Sequence, residues 1–411
     1  MAANSAASEP LGHQEDRIWP PDPGGYGGRR ARKGGRYRVF VPSEIGKRRF
    51  ALGDDAVAAI SEASKALAHL GGDASRSATL NVLATNLLRS ESAASSRIEG
   101  IAISHKRLAR AAYRGASDHR AAEVLGNVEA MKRAVEIGSR DTPLSIDDIL
   151  DIHRTLLRFT DDHGIAGAIR EKQNWIGSNA FTPVGATFVP PPPEIVPDLL
   201  HDLCAFIARD DVAPAAQAAI AHAQFENIHP FADGNGRTGR ALIYAILRRR
   251  GDIGAYIPPI SLVLVRQPLA YVNGLGAYSG GDVDSWTTLL ADAITEAVAI
   301  AGRLGEAIEH RQLTWIERLG NPRSDAAVRQ IVTALPSQPI IDVAAGRQIT
   351  GKSHVAVGAA LRQLEAANIL KPLNERQWGR AWECDELLDL VSSLEREAFR
   401  PTKATTGIEP V

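Results

Sequence analysis

Cysteine is almost missing from this chain, with only Cys204 and Cys384 in 411 residues. That scarcity excludes a disulfide scaffold and a cysteine-rich zinc site, and it makes a reducing cytoplasm the expected location. An excess of one charge is missing too. Lys plus Arg number 47 and Asp plus Glu 48, a formal net charge of −1. The balance argues against a wholly basic nucleic-acid coat and against an acidic disordered tail, leaving only local patches. No run reaches the roughly 18 consecutive apolar residues of a membrane span. The pair Arg29-Arg30 has no apolar stretch behind it, so neither a membrane partner nor an export signal is expected. No internal repeat of the solenoid kind is present. What remains is an ordinary globular chain, 44% apolar, with length for about two to four domains.

Residues 1–35, rich in Gly, Pro, Ala and Arg, hold little apolar surface to offset chain entropy and read as a disordered tail. The cations around Arg29 to Arg38 read as solvated rather than as a nucleic-acid contact. Arg36 to Ile45 is extended. From Asp54 to about Arg140 apolar residues recur three or four apart (Val57, Ile60, Ala63, Leu67), which predicts helices. Further helices are expected at Leu144–Phe159, Glu194–Ala208, Pro214–Ile228, Thr238–Arg250 and Asp284–Ala307. Between Trp175 and Pro193 the texture shifts to Gly, Asn, Thr and β-branched residues and ends in four prolines. That pattern reads as a hairpin or loop followed by a rigid extended piece.

The informative segment is His229-Pro230-Phe231-Ala232-Asp233-Gly234-Asn235-Gly236-Arg237-Thr238-Gly239-Arg240. Gly234-Asn235-Gly236 lets successive N–H groups point one way, which makes an anion nest at the positive end of the next helix. Arg237 and Arg240, three apart, leave the same first turn and can grip further phosphate oxygens. Asp233 beside bound phosphates is a natural Mg²⁺ ligand. His229 is the group here able to take a proton near neutral pH. Each component alone is weak, but the conjunction is a site for phosphate chemistry.

This segment resembles the signature of the Fic family, His-Pro-Phe-x-(Asp or Glu)-Gly-Asn-Gly-Arg-x-x-Arg, at every fixed position. The resemblance implies a protein adenylyltransferase, a nucleotidyltransferase that moves AMP from ATP onto a Ser, Thr or Tyr hydroxyl of a target protein. By that likeness His229 deprotonates the hydroxyl and Asp233 holds Mg²⁺ against the α- and β-phosphates. Gly234, Asn235 and Gly236 form the anion hole, Arg237 meets the β-phosphate and Arg240 the γ-phosphate, with Phe231 packed beneath the base. The segment from Trp175-Ile176-Gly177 to Ala186-Thr187-Phe188-Val189 resembles the family's flap, whose strand edge holds a target segment. Ser95-Ser96-Arg97-Ile98-Glu99-Gly100 resembles its inhibitory motif, in which Glu99 pairs with Arg240 and takes the γ-phosphate's place; in some members this Glu also supports removal of AMP. Tyr271 is the candidate for adenine contact, with core packing as the other reading, and Tyr278 is a weaker candidate.

Near the C-terminus, Val343-Ala344-Ala345, Gly351-Lys352 and Ser353 lay out a helix, a turn and a capped second helix. Ile369-Leu370 and Trp378 to Glu383 read as a wing, so the stretch resembles a winged helix. From Pro339 to Val391 there are six Lys or Arg and seven Asp or Glu. A net −1 gives little phosphate-driven affinity, so docking or homodimer formation is favoured over DNA, which stays open. The expected fold is mainly α: a Fic-like helical core with a β-hairpin flap plus a small winged-helix domain. The segments are a tail over 1–35, an N-terminal helical part with the inhibitory motif over 36–140, the core over 141–320, the winged-helix-like part over 323–395 and a second tail over 396–411. The alternative function is a nucleotide-sensing, DNA-binding regulator, against which the intact His229 speaks.

Overall fold

Apolar side chains spaced three and four apart give each helix one stripe to bury, and packing those stripes builds most of this protein. The computed structural model describes residues 9–24, 26, 28–72, 74–116, 118–162, 164–177, 181–254, 256–374 and 379–398. Its elements begin β1 (Gly12–Trp19), α1 (Arg29–Lys33), β2 (Gly35–Pro42), α2 (Asp54–Gly72), α3 (Ala74–Ile98), α4 (His105–Arg114), α5 (His119–Gly138) and α6 (Ile146–Leu156). They continue as α7 (Val196–Ile207), α8 (Pro214–Ile228), α9 (Asn235–Arg249), α10 (Ile260–Leu264), α11 (Pro268–Ser279) and α12 (Val283–Arg318). The chain then closes with α13 (Ala327–Ala334), β3 (Ile340–Asp342), α14 (Val343–Thr350), α15 (His354–Ala366), β4 (Lys371–Pro372), β5 (Ala381–Glu383) and α16 (Asp385–Ala398). No helix among the described residues is long and apolar enough to cross a membrane.

Two units interleave along the chain. The first gathers Met1–Ser64, Glu129–Asp252 and Pro268–Asp292. Its centre is α8, buried on nearly every side and packed against α7, α9 and α11, as expected of a helix that is Ala- and Ile-rich all round. The polar residues of α8 are matched. Gln217 Nε2 donates to the carbonyls of Phe206, Ile207 and Arg209 at 2.9, 3.2 and 2.7 Å, covering orphan acceptors at the end of α7. Ser145 and Asp148 close a reciprocal capping box at the start of α6.

The second unit gathers Lys65–Val128, Ile253–Gln267 and Ala293–Val411. Buried Glu91 of α3 accepts from the Ser261 N–H at 2.7 Å and from its hydroxyl, which ties α3 to α10. Asn127 donates to the Ser92 carbonyl at 2.9 Å and to Ser96 Oγ at 3.1 Å. Strands run in the order β3-β5-β4. Asp342 caps α14, Gly351 ends it in the left-handed conformation at φ 66°, and Ser353 caps α15. The net −1 along this stretch conceals a sorting of charge. Glu383 pairs with Arg110, Asp385 with Lys371 and Lys106, Glu386 with Arg311 and Arg318, and Glu365 with Arg380. Arg347 and Arg362 instead line an open cleft of about 620 Å³.

One expectation fails outright. Residues 12–19, read as part of a disordered tail, are β1, paired antiparallel with β2 from Gly12↔Pro42 to Trp19↔Gly35. The polar run His13 to Arg17 offers little apolar surface, but the anchors lie at its ends. Leu11 is 1% exposed, and Trp19 meets Trp175 edge-on at 5.4 Å. The Gly- and Pro-rich stretch behind β1 is thus the connection of a hairpin. Residues 1–8 and 399–411 of the two expected tails, and Trp378 of the expected wing, lie outside the described residues. The flap segment doubles back through one antiparallel bridge, Ile176↔Phe188, and its 178–180 portion is likewise outside the described residues.

Candidate functional site

Helix α8 stops at His229 because this residue turns left-handed, at φ 49° and ψ 60°. Such a backbone costs a non-glycine residue on the order of 1–3 kcal/mol and persists only where neighbours hold it. Those neighbours are visible. The His229 N–H donates to the Phe225 carbonyl at 2.9 Å, and buried Arg170 donates from Nε to the His229 carbonyl at 2.8 Å. The Arg170 N–H reaches the Pro230 carbonyl at 2.9 Å, and its Nη2 reaches the Pro191 carbonyl at 2.5 Å. Burial lowers its pKa to about 10, which leaves it cationic at neutral pH. The imidazole Nδ1 of His229 lies 3.9 Å from the Glu226 carboxylate.

The loop is then folded around two rings. Phe231 and His153 stack at 3.7 Å with 5° between their planes. His153 Nδ1 accepts from the Gly167 N–H at 3.0 Å, so the other nitrogen carries the proton and donates to the Asp233 carbonyl at 3.0 Å. Asn235 bonds twice to one residue: its Oδ1 accepts from the Phe231 N–H and its Nδ2 donates to the Phe231 carbonyl, both at 2.8 Å. Asn174 adds a third bond to that residue, donating to the same carbonyl at 3.0 Å. The side chain of Asn235 is thus committed to shaping the loop.

Gly234 caps α9 at φ 79°, where a Cβ would sit 2.9 Å from Leu156 and 3.4 Å from His153. Glycine is required there on both counts. The helix start that follows presents Asn235, Gly236 and Arg237. Arg237 is buried, and its Nη2 donates to the half-exposed Asp233 carboxylate at 2.9 Å. Arg240 is 1% exposed, with Nη1 at 3.4 Å from the Tyr271 hydroxyl. Tyr271 is buried, stacks on His222, and shares a 2.8 Å hydrogen bond with His222 Nε2. These contacts favour the packing reading of Tyr271. Tyr278 is fully buried against Gln224, and burial raises its pKa.

Two histidines here are neutral. Burial lowers His153 to about 4, and burial with nearby Arg240 lowers His222 to about 3. Below about pH 6.5 the unfolded chain binds protons that these folded rings refuse, so their stabilisation is complete above that pH and is lost as pH falls toward 4. We expect unfolding in denaturant to require a few kcal/mol less at pH 5 than at pH 7.5, given about 1.4 kcal/mol for each tenfold change in proton affinity. An unchanged midpoint across that range would contradict both neutral rings. Gly239 is a packing point: a Cβ there would meet Glu226 Oε1 at 2.7 Å, Phe225 Cδ1 at 2.9 Å and His222 Nδ1 at 3.0 Å. Gly239→Ala should cost about 1–3 kcal/mol by forcing α8 and α9 apart, read by thermal melting; a wild-type melting temperature would count against that close approach.

The first unit thus brings together His229, Asp233, Gly234, Asn235, Gly236, Arg237, Arg240 and Tyr271. Glu99 belongs to the second unit, where α3 ends at Ile98 and Gly100 turns left-handed at φ 82°. The Ile101 N–H returns to the Ser96 carbonyl at 2.9 Å; Ser95 is buried and Glu99 lies in the exposed turn just past the helix. Sequence reasoning missed His153, Arg170 and Asn174. His153 sits among Ile149, Ile152 and Leu156 on the buried face of α6, which flags an interior histidine without showing its partner. Arg170 carries no local signal.

Residues 143–247 match the Fic/DOC family, and residues 57–136 match the Fic/DOC family N-terminal region. Protein adenylyltransferase fic-1 of Caenorhabditis elegans is 36% identical over 151 residues, 36% of this chain and 27% of that protein. Protein adenylyltransferase Fic of Nematostella vectensis is 33% identical over 177 residues, 41% of this chain and 37% of that protein. These matches span well under half the length of the curated relatives. Among solved structures, a Fic domain containing signaling protein from Bacteroides thetaiotaomicron aligns with a TM-score of 0.51 at 18% identity, over 61% of this chain and 97% of that one; the likeness is one of fold.

Proposed function

Because the chain belongs to the Fic/DOC family through residues 57–136 and 143–247, we propose that it is a protein adenylyltransferase. It moves AMP from ATP to a Ser, Thr or Tyr hydroxyl of a protein target. The observation that carries this reading is the loop 229–240, which places an imidazole at the end of one helix and glycine-opened N–H groups at the start of the next. His229 takes the hydroxyl proton as the oxygen attacks the α-phosphorus, and pyrophosphate leaves. The N–H groups of Asn235, Gly236 and Arg237 stabilise charge on the phosphates, helped by Arg237 and Arg240.

The residues fit a Mg²⁺ ion held mainly by phosphates and water. No group of three metal-ligating side chains occurs among the described residues, and Asp233 offers one half-exposed carboxylate, the ligand count such an ion takes from protein. When bound it supplies charge neutralisation at the phosphates. Inhibition belongs to the same proposal: Glu99 pairs with Arg240 and excludes a productive triphosphate. A docking or dimerisation role for residues 323–395 is proposed as well, as is a cytoplasmic location. The latter suits free Cys204 and Cys384, whose thiols burial pushes up to about 12.

Two labels test the reaction. Measured against the same lysate and Mg²⁺ without the protein, the Glu99→Gly variant should add protein label from α-labelled ATP and none from γ-labelled ATP, because the γ-phosphate departs with pyrophosphate. Label from the γ position alone would replace AMP transfer with phosphate transfer; label from neither would defeat the reading.

A further inference from the structure

The β1–β2 hairpin presents a second binding rail beside the flap. Phe40 turns its N–H away from β1 and donates to the Val189 carbonyl at 2.8 Å. In an antiparallel pair, residues two apart direct their main chain the same way, so Arg38 and Arg36 also send N–H and carbonyl away from β1. Neither of those main chains is bonded on that side among the described residues. Between Val189 and the point where Val184 of the flap comes up to Gly35, the hairpin and the flap enclose a cleft of about 400 Å³, lined by Gln14 and Asp16 of β1, by Arg36, Tyr37 and Arg38 of β2 and by the stretch Gly185–Val189.

The side chains agree with the backbone. Arg36 and Arg38 are exposed on one face of β2, and neither has an ion-pair partner among the described residues. The hairpin is rigid against the flap through Trp19 on Trp175 at 5.4 Å and Phe40 on Phe188 at 6.0 Å. The root of the flap is in turn tied to the catalytic loop, since Arg170 bonds both the Pro191 and His229 carbonyls.

We propose that the open edge of β2 takes an extended segment of the target protein carrying two acidic side chains two residues apart. The segment adds as a strand between β2 and the flap, and its alternate carboxylates meet Arg36 and Arg38, whose spacing along β2 is about 6.7 Å. This rests on the adenylyltransferase reading for its biological sense, but binding needs no nucleotide and is measured apart from it.

The test uses the full chain and fluorescein-labelled ten-residue peptides, followed by anisotropy without ATP. Three share a central serine: one with Glu-x-Glu, an isomer with the two Glu adjacent, and one with Lys-x-Lys. A fourth repeats Glu-x-Glu with alternate backbone nitrogens methylated. The Glu-x-Glu peptide should bind about fivefold more tightly than its isomer, as two exposed ion pairs allow, and more tightly still than the Lys peptide. Methylation should abolish binding. Arg36→Gln/Arg38→Gln should erase the preference, and Arg36→Lys/Arg38→Lys should restore part of it. Equal binding of the two Glu isomers, tolerance of methylation, or a preference that survives the Gln substitutions would overturn the proposal. A twelve-base single-stranded oligonucleotide that displaces the peptide while both isomers bind alike would make the patch a general polyanion site and equally defeat it. Loss of AMP transfer with the peptide preference intact would fault the enzymatic reading alone.

Discussion

His229→Ala should lower AMP transfer by about 10²–10⁴-fold, the usual worth of a positioned general base. Loss of the ring leaves the Arg170 clamp and the Asn235–Phe231 bonds in place, because those hold main-chain carbonyls and the Phe231 N–H rather than the imidazole. Binding of ATP should therefore survive while turnover falls. The check is a single-turnover measurement beside a titration with a labelled nucleotide. A variant that transfers AMP at the wild-type rate would remove His229 from the chemistry. One that loses both binding and turnover would place it in the structure of the loop.

The second large effect runs the other way. Glu99→Gly should raise AMP transfer by about tenfold or more, since under the proposed inhibition a carboxylate whose charge-assisted bonding is worth about 1.5–3 kcal/mol would no longer oppose the γ-phosphate. The substitution falls in an exposed turn just past the last residue of α3, where it disturbs little packing. Glu99→Gln separates charge from shape, and an intermediate rate is expected of it. Equal rates for wild type and Glu99→Gly in initial-rate assays with α-labelled ATP would dismiss Glu99 as an inhibitor.

The helices were legible because their cause is local. Ser145 before Ile146 and Asp148, Pro214 ahead of an Ala-rich run, and Gly351 followed by Ser353 each mark a boundary through their own backbone chemistry. The loop 229–240 stood out for a related reason: anion binding at a helix start, the role proposed for it, calls for glycine and arginine at fixed offsets, and those lie in adjacent letters. What stayed hidden depends on partners far along the chain. Strand β1 is a polar run whose stability comes from β2 and from apolar anchors at its ends. Arg170 acts on carbonyls 21 and 59 residues away. Near the C-terminus a net charge of −1 gave no warning that the acids are consumed by Arg110, Lys106, Arg311 and Arg318.

The paired hydrogen bonds between Asn235 and Phe231 have one more consequence. They settle the contour of the loop during folding, before any nucleotide arrives. A ligand drawn to this helix start would meet N–H groups already set in place, and little of its binding energy would go into ordering the turn.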